Sequence, residues 1–511
     1  MDLLKSESYK RGAIYSTGFN LLAKALAFAN SMVIAYYFGT QVKTDIYFYS
    51  LATISMLMGL VTSLDHSVII PEAMRIRQEE GEAQSQKFFN FFLFIYFIIG
   101  LLSVGVLYID PVNFFVLISQ FDISTLSHNI FQIYAIIPLC ILMLFTNFLI
   151  DIFSSYKFFT LPMITSLVNS VLSLVFIILF HRVWDVTSMI VAQIVSYSFN
   201  IIWLLFLLKK KICWNFQLVK IHLRPLVIQN IVYSQFANFF TFLGTYVPMY
   251  LLSGFSGGII TCLNYGRNLS EIPRHLLIGQ ISIVSGIKLN ELYATYDLDN
   301  LNLFFQRTIK FMVFVMMPIS GIFYLFSEEI VIILYQRGNF GIESVAISAL
   351  FLRYLGLLLP LYAIDTMFAR LNMAGQNIKT AFGYQVISNI LVILFAILFI
   401  SNIGFIGYAL ALIVCYLLGL FAMYYIIHKH YSSIEYIKII KYFFMVLFIN
   451  ACIACLVYIS IYHIKLPILW KLLFGSFLYS IILLLLNHII KLNDDANSMI
   501  RSFFIQFTHF N

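Results

Sequence analysis

Long apolar runs recur along the whole chain, and they constrain its fold more than any other feature. A hydrocarbon core about 30 Å thick is crossed by roughly 20 residues of helix. Only 11% of the residues are charged and 61% are hydrophobic, whereas soluble domains contain about 25% charged residues. The sequence therefore predicts an all-α polytopic membrane protein with about 14 transmembrane helices. The predicted spans are 13–37, 45–70, 87–109, 128–152, 158–181, 184–208, 225–253, 257–285, 304–327, 343–370, 379–401, 403–427, 441–463 and 467–490.

Basic residues are concentrated in every second loop between these spans. The loop after the second span contains Arg75 and Arg77, and the loop after the sixth contains Lys209, Lys210 and Lys211. Because cytoplasmic loops carry the excess of Lys and Arg, we expect both termini in the cytoplasm. The net charge of +8 is explained by these loops, so no nucleic-acid partner is expected.

An internal repeat suggests how the spans are grouped. Residues 167–180 (LVNSVLSLVFIILF) resemble residues 386–399 (VISNILVILFAILF), and Pro138 falls on Pro360 at a similar offset. A repeat of six spans is even, so its two copies run parallel about an axis normal to the membrane. We therefore predict two six-helix lobes around a central cavity, followed by two C-terminal helices. The corresponding domains are 1–211, 212–430, and 431–511, the last ending in a cytoplasmic tail.

Ionisable residues inside the spans mark the candidate site. Each costs about 2.5–3.5 kcal/mol at a helix centre, and such residues normally face a bundle interior or a watered cavity. Residues 263–275 (LNYGRNLSEIPRH) place Arg267, Glu271 and Arg274 within one span. A guanidinium suits the oxygens of a phosphate, although an Arg267–Glu271 ion pair is an equally simple interpretation. The predicted substrate-binding residues are Lys24, Asn30, Asp45, Arg267, Asn268 and Glu271.

A second set of buried polar residues has a less defined role. These residues either couple transport to an ion or form polar contacts between helices: Asp65, His66, Asp151, Arg353 and Asp365. The six cysteines show no metal-ligand spacing, so neither a metal nor a cofactor is expected. No acid–base constellation or large exterior loop indicates an enzyme, and no catalytic residue is assigned.

Five segments give the chain its resemblance to a known family: YYFGTQVKTDIYFYS (36–50), LNYGRNLSEIPRHLLIGQIS (263–282), LYQRGNFGIESV (334–345), ARLNMAGQNIKTAF (369–382) and NIGFIGYALA (402–411). In their order and spacing, they resemble the MurJ (MviN) lipid II flippases of the multidrug/oligosaccharidyl-lipid/polysaccharide exporter superfamily. By this resemblance, Asp45 matches the family's aspartate in FG…TD. Glu271 and Pro273 match its E-x-P, and Arg267 lies one position from a cavity arginine.

The chain also departs from the family pattern. Where the first span of the family carries two cavity arginines, this chain has Lys24 and Asn30. Where the second span of the family has an arginine, this chain has apolar residues near Leu57 and Met58. A cavity with fewer guanidinium groups suits a differently charged glycan.

The resemblance implies an alternating-access flippase in the bacterial cytoplasmic (inner) membrane. Its substrate would be an undecaprenyl-pyrophosphate-linked sugar, lipid II or a similar peptidoglycan precursor, moved from the inner to the outer leaflet. The prenyl tail would lie in a groove lined by the two extra helices. A monovalent cation or the membrane potential would drive a monomeric carrier. The alternatives are a flippase for a capsule, O-antigen or exopolysaccharide repeat unit, and a cation-coupled multidrug antiporter.

Overall fold

The computed structural model describes residues 9–158, 160–217, 224–255, 257–462 and 466–497, and these residues form helices and connecting loops without strands. Each predicted span coincides with one helix or with consecutive helical segments, and the resulting fourteen elements are labelled α1 to α14. In chain order these are Tyr9–Phe38, Val42–Glu79, Glu82–Ile109, Ile130–Ser155, Leu161–Trp184, Thr187–Lys211, Pro225–Leu252, Ile259–Pro273 continued by Arg274–Ile278 and Gly279–Ala294, Leu298–Tyr335, Ile342–Gly356 with Leu359–Ala374, Ile378–Ile403, Gly407–His430, Tyr436–Tyr462 and Ile468–Ile490.

The number of membrane-length helices agrees with the predicted fold class. Within the described residues, eleven helices are long and apolar enough to cross a membrane, and the two halves of α10, bent by 44°, make a twelfth. The helices α7 and α8 coincide with the remaining two predicted spans. Several helices extend beyond the apolar runs, since α2 continues to Glu79 and α9 runs from Leu298 to Tyr335.

The described helices divide into two compact units. Unit 1 comprises Met1–Thr261 together with the loop Arg337–Gly341. Its core lies between α2, α3, α4 and α6, where the large side chains of Phe89, Phe148 and Trp214 are buried together. Trp214 Nε1 donates to Asn90 Oδ1 at 2.8 Å, which satisfies the one polar atom of the indole in this core.

Unit 2 comprises Cys262–Gln336 and Ile342–Asn511. The long helix α9 packs against α10, α13 and α14, and Phe314, Phe326 and Tyr479 are buried there. The contacts place α7 against α2 in unit 1, whereas the sequence repeat assigns α7 to the second lobe. The lobe boundaries at 211 and 430 remain predictions, and the predicted tail beyond residue 497 lies outside the described residues.

Two loops of unit 1 meet, and glycine permits their close approach. Gly39, between α1 and α2, has φ of +57°, and a Cβ on it would lie 2.2 Å from the carbonyl oxygen of Asn339. Gly338 likewise has φ of +58° and lies against the Tyr36 carbonyl. The backbone N–H of Asn339 donates to that same carbonyl at 3.0 Å. A side chain at either glycine would separate these loops, which explains glycine in the segments FGT and RGN.

Candidate functional site

Helix α8 carries a polar stripe at membrane depth. Asn264, Arg267, Asn268 and Glu271 are spaced i, i+3, i+4 and i+7 and therefore share one helical face. All four are half-buried, whereas Tyr265, on another face, is buried. The polar face of α8 is therefore less buried than the face that carries Tyr265. This difference is expected of a helix whose polar side lines a water-filled space.

Packing on the other side of α8 holds this stripe in position. A Cβ on Gly266 would lie 2.7 Å from Phe351 Cβ on α10, so the two helices approach closely at this point. The helix then continues through a π-helical segment, Arg274–Ile278, which follows Pro273. Such segments occur frequently at functional sites, and this one begins with Arg274 and His275, which follow the stripe along the helix.

Within the stripe, Arg267 and Glu271 have different partners. Nη2 of Arg267 donates to the hydroxyl of Tyr408 on α12 at 2.6 Å. Glu271 instead faces the next helical turn, 3.9 Å from Arg274 Nη1 and 3.6 Å from His275 Nε2. The simple Arg267–Glu271 pair is therefore not the main contact of either residue. Tyr408 accepts from one of the five N–H groups of the Arg267 guanidinium.

Tyrosines extend the polar region across unit 2. The guanidinium of Arg274 lies 4.2 Å from the ring centroid of Tyr362, a cation–π geometry. Tyr384 donates to Asp365 Oδ1 at 3.0 Å. Asp365 is therefore hydrogen-bonded to a tyrosine. The sequence analysis assigned no role to Tyr362 or Tyr384. Because tyrosines inside apolar runs usually belong to the core, only the segment NIGFIGYALA pointed to one of them, Tyr408.

Arg353 lies apart from the stripe, on the wall of a cavity in unit 2. Its Nε donates to Ser327 Oγ at 3.2 Å, and its guanidinium lies 5.8 Å from the ring centroid of Tyr324. The cavity has a volume of about 620 Å³ and is lined by α9, α10, α13 and α14, including Asn450 and Tyr458. This volume lies in the range of small-molecule sites.

In unit 1, Asp45 binds the N-terminus of α8. Its carboxylate accepts hydrogen bonds from the backbone N–H groups of Gly258 and Thr261 and from the Thr261 hydroxyl. Asp45 is only 2% exposed. A carboxylate at this position satisfies free N–H groups and complements the positive end of the helix dipole. In this conformation Asp45 has a structural role, and its predicted contact with substrate stays a prediction.

The first helix presents its two candidates differently. Lys24 is exposed. Asn30 is half-buried and donates to Ser173 Oγ on α5 at 3.1 Å. Its Oδ1 is buried, and the described residues provide no hydrogen-bond partner for it. Asn30 therefore contributes to the packing of α1 on α5, and Lys24 is an accessible charge on this helix.

The remaining candidates of unit 1 form one cluster. Tyr96 donates to Asp65 Oδ1 at 2.6 Å, and His66 Nε2 lies 3.4 Å from Asp151 Oδ1. The three predicted residues Asp65, His66 and Asp151 are thus neighbours, and Tyr96 is an additional member. Among the described residues, no three His, Cys, Asp or Glu side chains are arranged to hold a metal ion.

Membrane-length helices, together with a charged stripe on α8, are typical of a polytopic membrane transporter. A family model described as "Lipid II flippase MurJ" matches residues 34–483. The chain belongs to this family.

Relatives and solved structures agree with this assignment. A probable lipid II flippase MurJ of Borreliella burgdorferi is 21% identical over 427 residues, covering 82% of this chain and 83% of the relative. One of Aquifex aeolicus is 23% identical over 423 residues, covering 80% and 81%.

The fold is similar to that of a lipid II flippase MurJ solved in an inward closed conformation. The TM-score is 0.78 at 19% identity, covering 94% of this chain and 98% of that one. An inward-facing multidrug resistance MATE transporter of the MOP superfamily is less similar, with a TM-score of 0.60 at 13% identity, covering 80% and 94%.

Proposed function

We propose that the protein translocates lipid II from the inner to the outer leaflet of the bacterial cytoplasmic membrane. The observation that carries the proposal is the half-buried stripe around Arg267 in a chain of this family. An arginine inside a membrane span is costly, and such residues normally face the bundle interior or a water-filled cavity and mark a substrate pathway. The pyrophosphate of lipid II is a suitable ligand, because a guanidinium binds phosphate oxygens in pairs.

In this proposal the stripe receives the headgroup. Arg267 contacts the pyrophosphate, and Tyr408 fixes the direction of its guanidinium. Asn268 and Glu271 lie on the same face and offer an amide and a carboxylate to the sugar and peptide. Lys24 is exposed on α1 of unit 1, and its contact with substrate stays a prediction. Arg274, which stacks on Tyr362, closes one end of the stripe.

The cavity lined by α9, α10, α13 and α14 is proposed to hold part of the prenyl chain. Its walls are mostly apolar and include residues from both C-terminal helices, Ala454 and Tyr479 among them. An isoprenoid chain gains free energy when it is buried against such walls.

The loop charges orient the protein in the membrane. Lys209, Lys210 and Lys211 end α6, and the positive-inside rule supports a cytoplasmic location for that end and, with it, for both termini. Export of an anionic headgroup from a negative interior is favoured by about 2.3 kcal/mol per charge per 100 mV. The membrane potential, or a cation moving with it, is therefore the proposed driving force, and a monomer suffices for this mechanism.

A reconstitution experiment tests the proposal. Purified protein in liposomes containing fluorescent lipid II should expose the headgroup to an external reagent faster than empty liposomes do. Arg267→Ala should abolish this acceleration. Lys288→Ala is the matched control, because Lys288 lies on the same helix and pairs with Glu291 at an exposed position.

The same experiment distinguishes a second substrate class. The alternative substrate is a glycan with another charge, because by the resemblance Lys24 and Asn30 stand where the family has arginines. Translocation of an undecaprenyl-pyrophosphate-linked O-antigen or capsule unit, without translocation of lipid II, would contradict the proposed substrate and retain the carrier mechanism.

A further inference from the structure

A buried pair of carboxyl groups lies in unit 1, away from the polar stripe. Asp65 is 0% exposed and Asp151 is 9% exposed. Asp65 begins a π-helical segment, Asp65–Ile69, in the middle of α2. π-Helical segments of this kind are frequent at functional sites, and this one turns the Asp65 side chain toward α3 and α4.

The surroundings of this pair favour a shared proton. Asp151 lies close to Asp65, because His66, the next residue along α2, is 3.4 Å from Asp151 Oδ1. An ionised carboxylate only accepts hydrogen bonds, so two ionised groups would repel each other. The described residues supply no hydrogen-bond partner for the buried Oδ2 of Asp65. One proton between the two groups satisfies that atom and removes the repulsion, as in other paired carboxyl groups.

A tyrosine and a histidine are further neighbours of the pair. Tyr96 on α3 donates to Asp65 Oδ1 at 2.6 Å, and His66 approaches Asp151 Oδ1 at 3.4 Å with 73% of its side chain exposed. From α7, the contact to the π-helical segment is a hydroxyl, Ser234 Oγ, 2.9 Å from Ser67 Oγ. No basic side chain in this described set neutralises both carboxylates, because His66 contacts Asp151 alone.

We infer that Asp65 and Asp151 form a binding site for a single proton, which His66 exchanges with the surroundings. A proton on His66 Nε2 passes to Asp151 Oδ1 and is then shared with Asp65, and release follows the reverse route. The helical rise of about 1.5 Å per residue places Asp65 roughly 34 Å from Val42, near the far end of the hydrocarbon core. With the proposed orientation, His66 exchanges protons on the cytoplasmic side.

Release of the proton has a structural consequence. Two adjacent anions in a buried site must separate or admit water. The π-helical segment carries Asp65, and its Ser67 contacts α7, so separation of the anions moves this contact. A link between the proton and transport rests on the proposed function, whereas the proton site itself does not.

Infrared spectroscopy of the full chain in lipid nanodiscs tests the site directly. At neutral pH, wild type should show one carbonyl band of a protonated carboxyl group that is absent in both Asp65→Asn and Asp151→Asn. Asp185→Asn is the control with the same chemical change, because Asp185 is 55% exposed and pairs with Lys43. It should retain the band. Thermal unfolding of each variant establishes that it is folded.

Two results would overturn the inference. The first is a set of carboxyl bands that is identical in wild type, Asp65→Asn and Asp151→Asn. The second is loss of the band on addition of Na⁺ at constant pH, which would identify a metal cation as the ligand. Failure of lipid II translocation would leave this spectroscopic readout unaffected, so the two proposals fail separately.

Discussion

The contact of Asp45 with the N-terminus of α8 makes a quantitative prediction about stability. Asp45→Ala removes the acceptor of two backbone N–H groups and the Thr261 hydroxyl at a buried position. Loss of a helix-capping side chain costs about 0.5–2 kcal/mol, and each buried donor left unsatisfied costs about 1–3 kcal/mol. These terms overlap, and we expect a loss of roughly 2–5 kcal/mol of unfolding free energy.

The conservative variant isolates the hydrogen bonds. Asp45→Asn preserves the volume but places an NH₂ group against a backbone N–H or the Thr261 hydroxyl. It should lose about 1–3 kcal/mol. Thr261→Val removes one donor and should lose about 1 kcal/mol. The double variant should lose less than the sum, because the two residues share one contact.

Equilibrium unfolding in mixed micelles measures these differences. An Asp45→Ala variant that unfolds within about 0.5 kcal/mol of wild type, the range of ordinary surface substitutions, would refute the capping argument. Reduced lipid II binding by Asp45→Asn at unchanged stability would instead support the predicted substrate contact.

Two further predictions concern the loop junction and the stripe. Gly39→Ala should lower the unfolding free energy by more than about 1–2 kcal/mol, because the added Cβ lies at positive φ and meets the Asn339 carbonyl. Gly18 has open space around it, so Gly18→Ala should be nearly neutral in the same unfolding assay. Tyr408→Phe should weaken lipid II binding about two- to tenfold, because one hydrogen bond to Arg267 contributes about 0.5–1.5 kcal/mol. Unchanged affinity in a fluorescence titration would exclude Tyr408 as the group that orients Arg267.

Most transmembrane segments were predictable because hydropathy marks the runs that can cross a membrane, whereas α7 and α8 lie outside the helices that hydropathy identifies among the described residues. Their ends were less predictable. Residues 71–79 of α2 (PEAMRIRQE) are too polar for an apolar run, yet they continue the helix beyond Pro71 as far as Glu79, just before Gly81 with φ of +94°. The break in α10 follows from Pro360 at the start of its second half.

The candidate residues were predictable as a set, but their contacts were not. The cost of placing a charge in a membrane singles out Arg267 and Asp65 in the amino-acid sequence. The partner of Asp45 is 213 residues away at Gly258, and one strong acceptor in the first turn of α2 does not indicate which helix it caps. Tyr96 was missed for a similar reason, because its hydrogen bond to Asp65 forms only when α3 packs beside α2.

Complementation in cells depleted of their lipid II flippase tests the central claim most directly. Wild type, Arg267→Ala, Lys24→Ala and the control Lys288→Ala are compared at matched expression. We expect rescue by wild type and by Lys288→Ala, and loss of rescue with Arg267→Ala and Lys24→Ala. Absence of rescue by well-expressed wild type would contradict lipid II as the substrate, and full rescue by both cavity variants would contradict the cationic site.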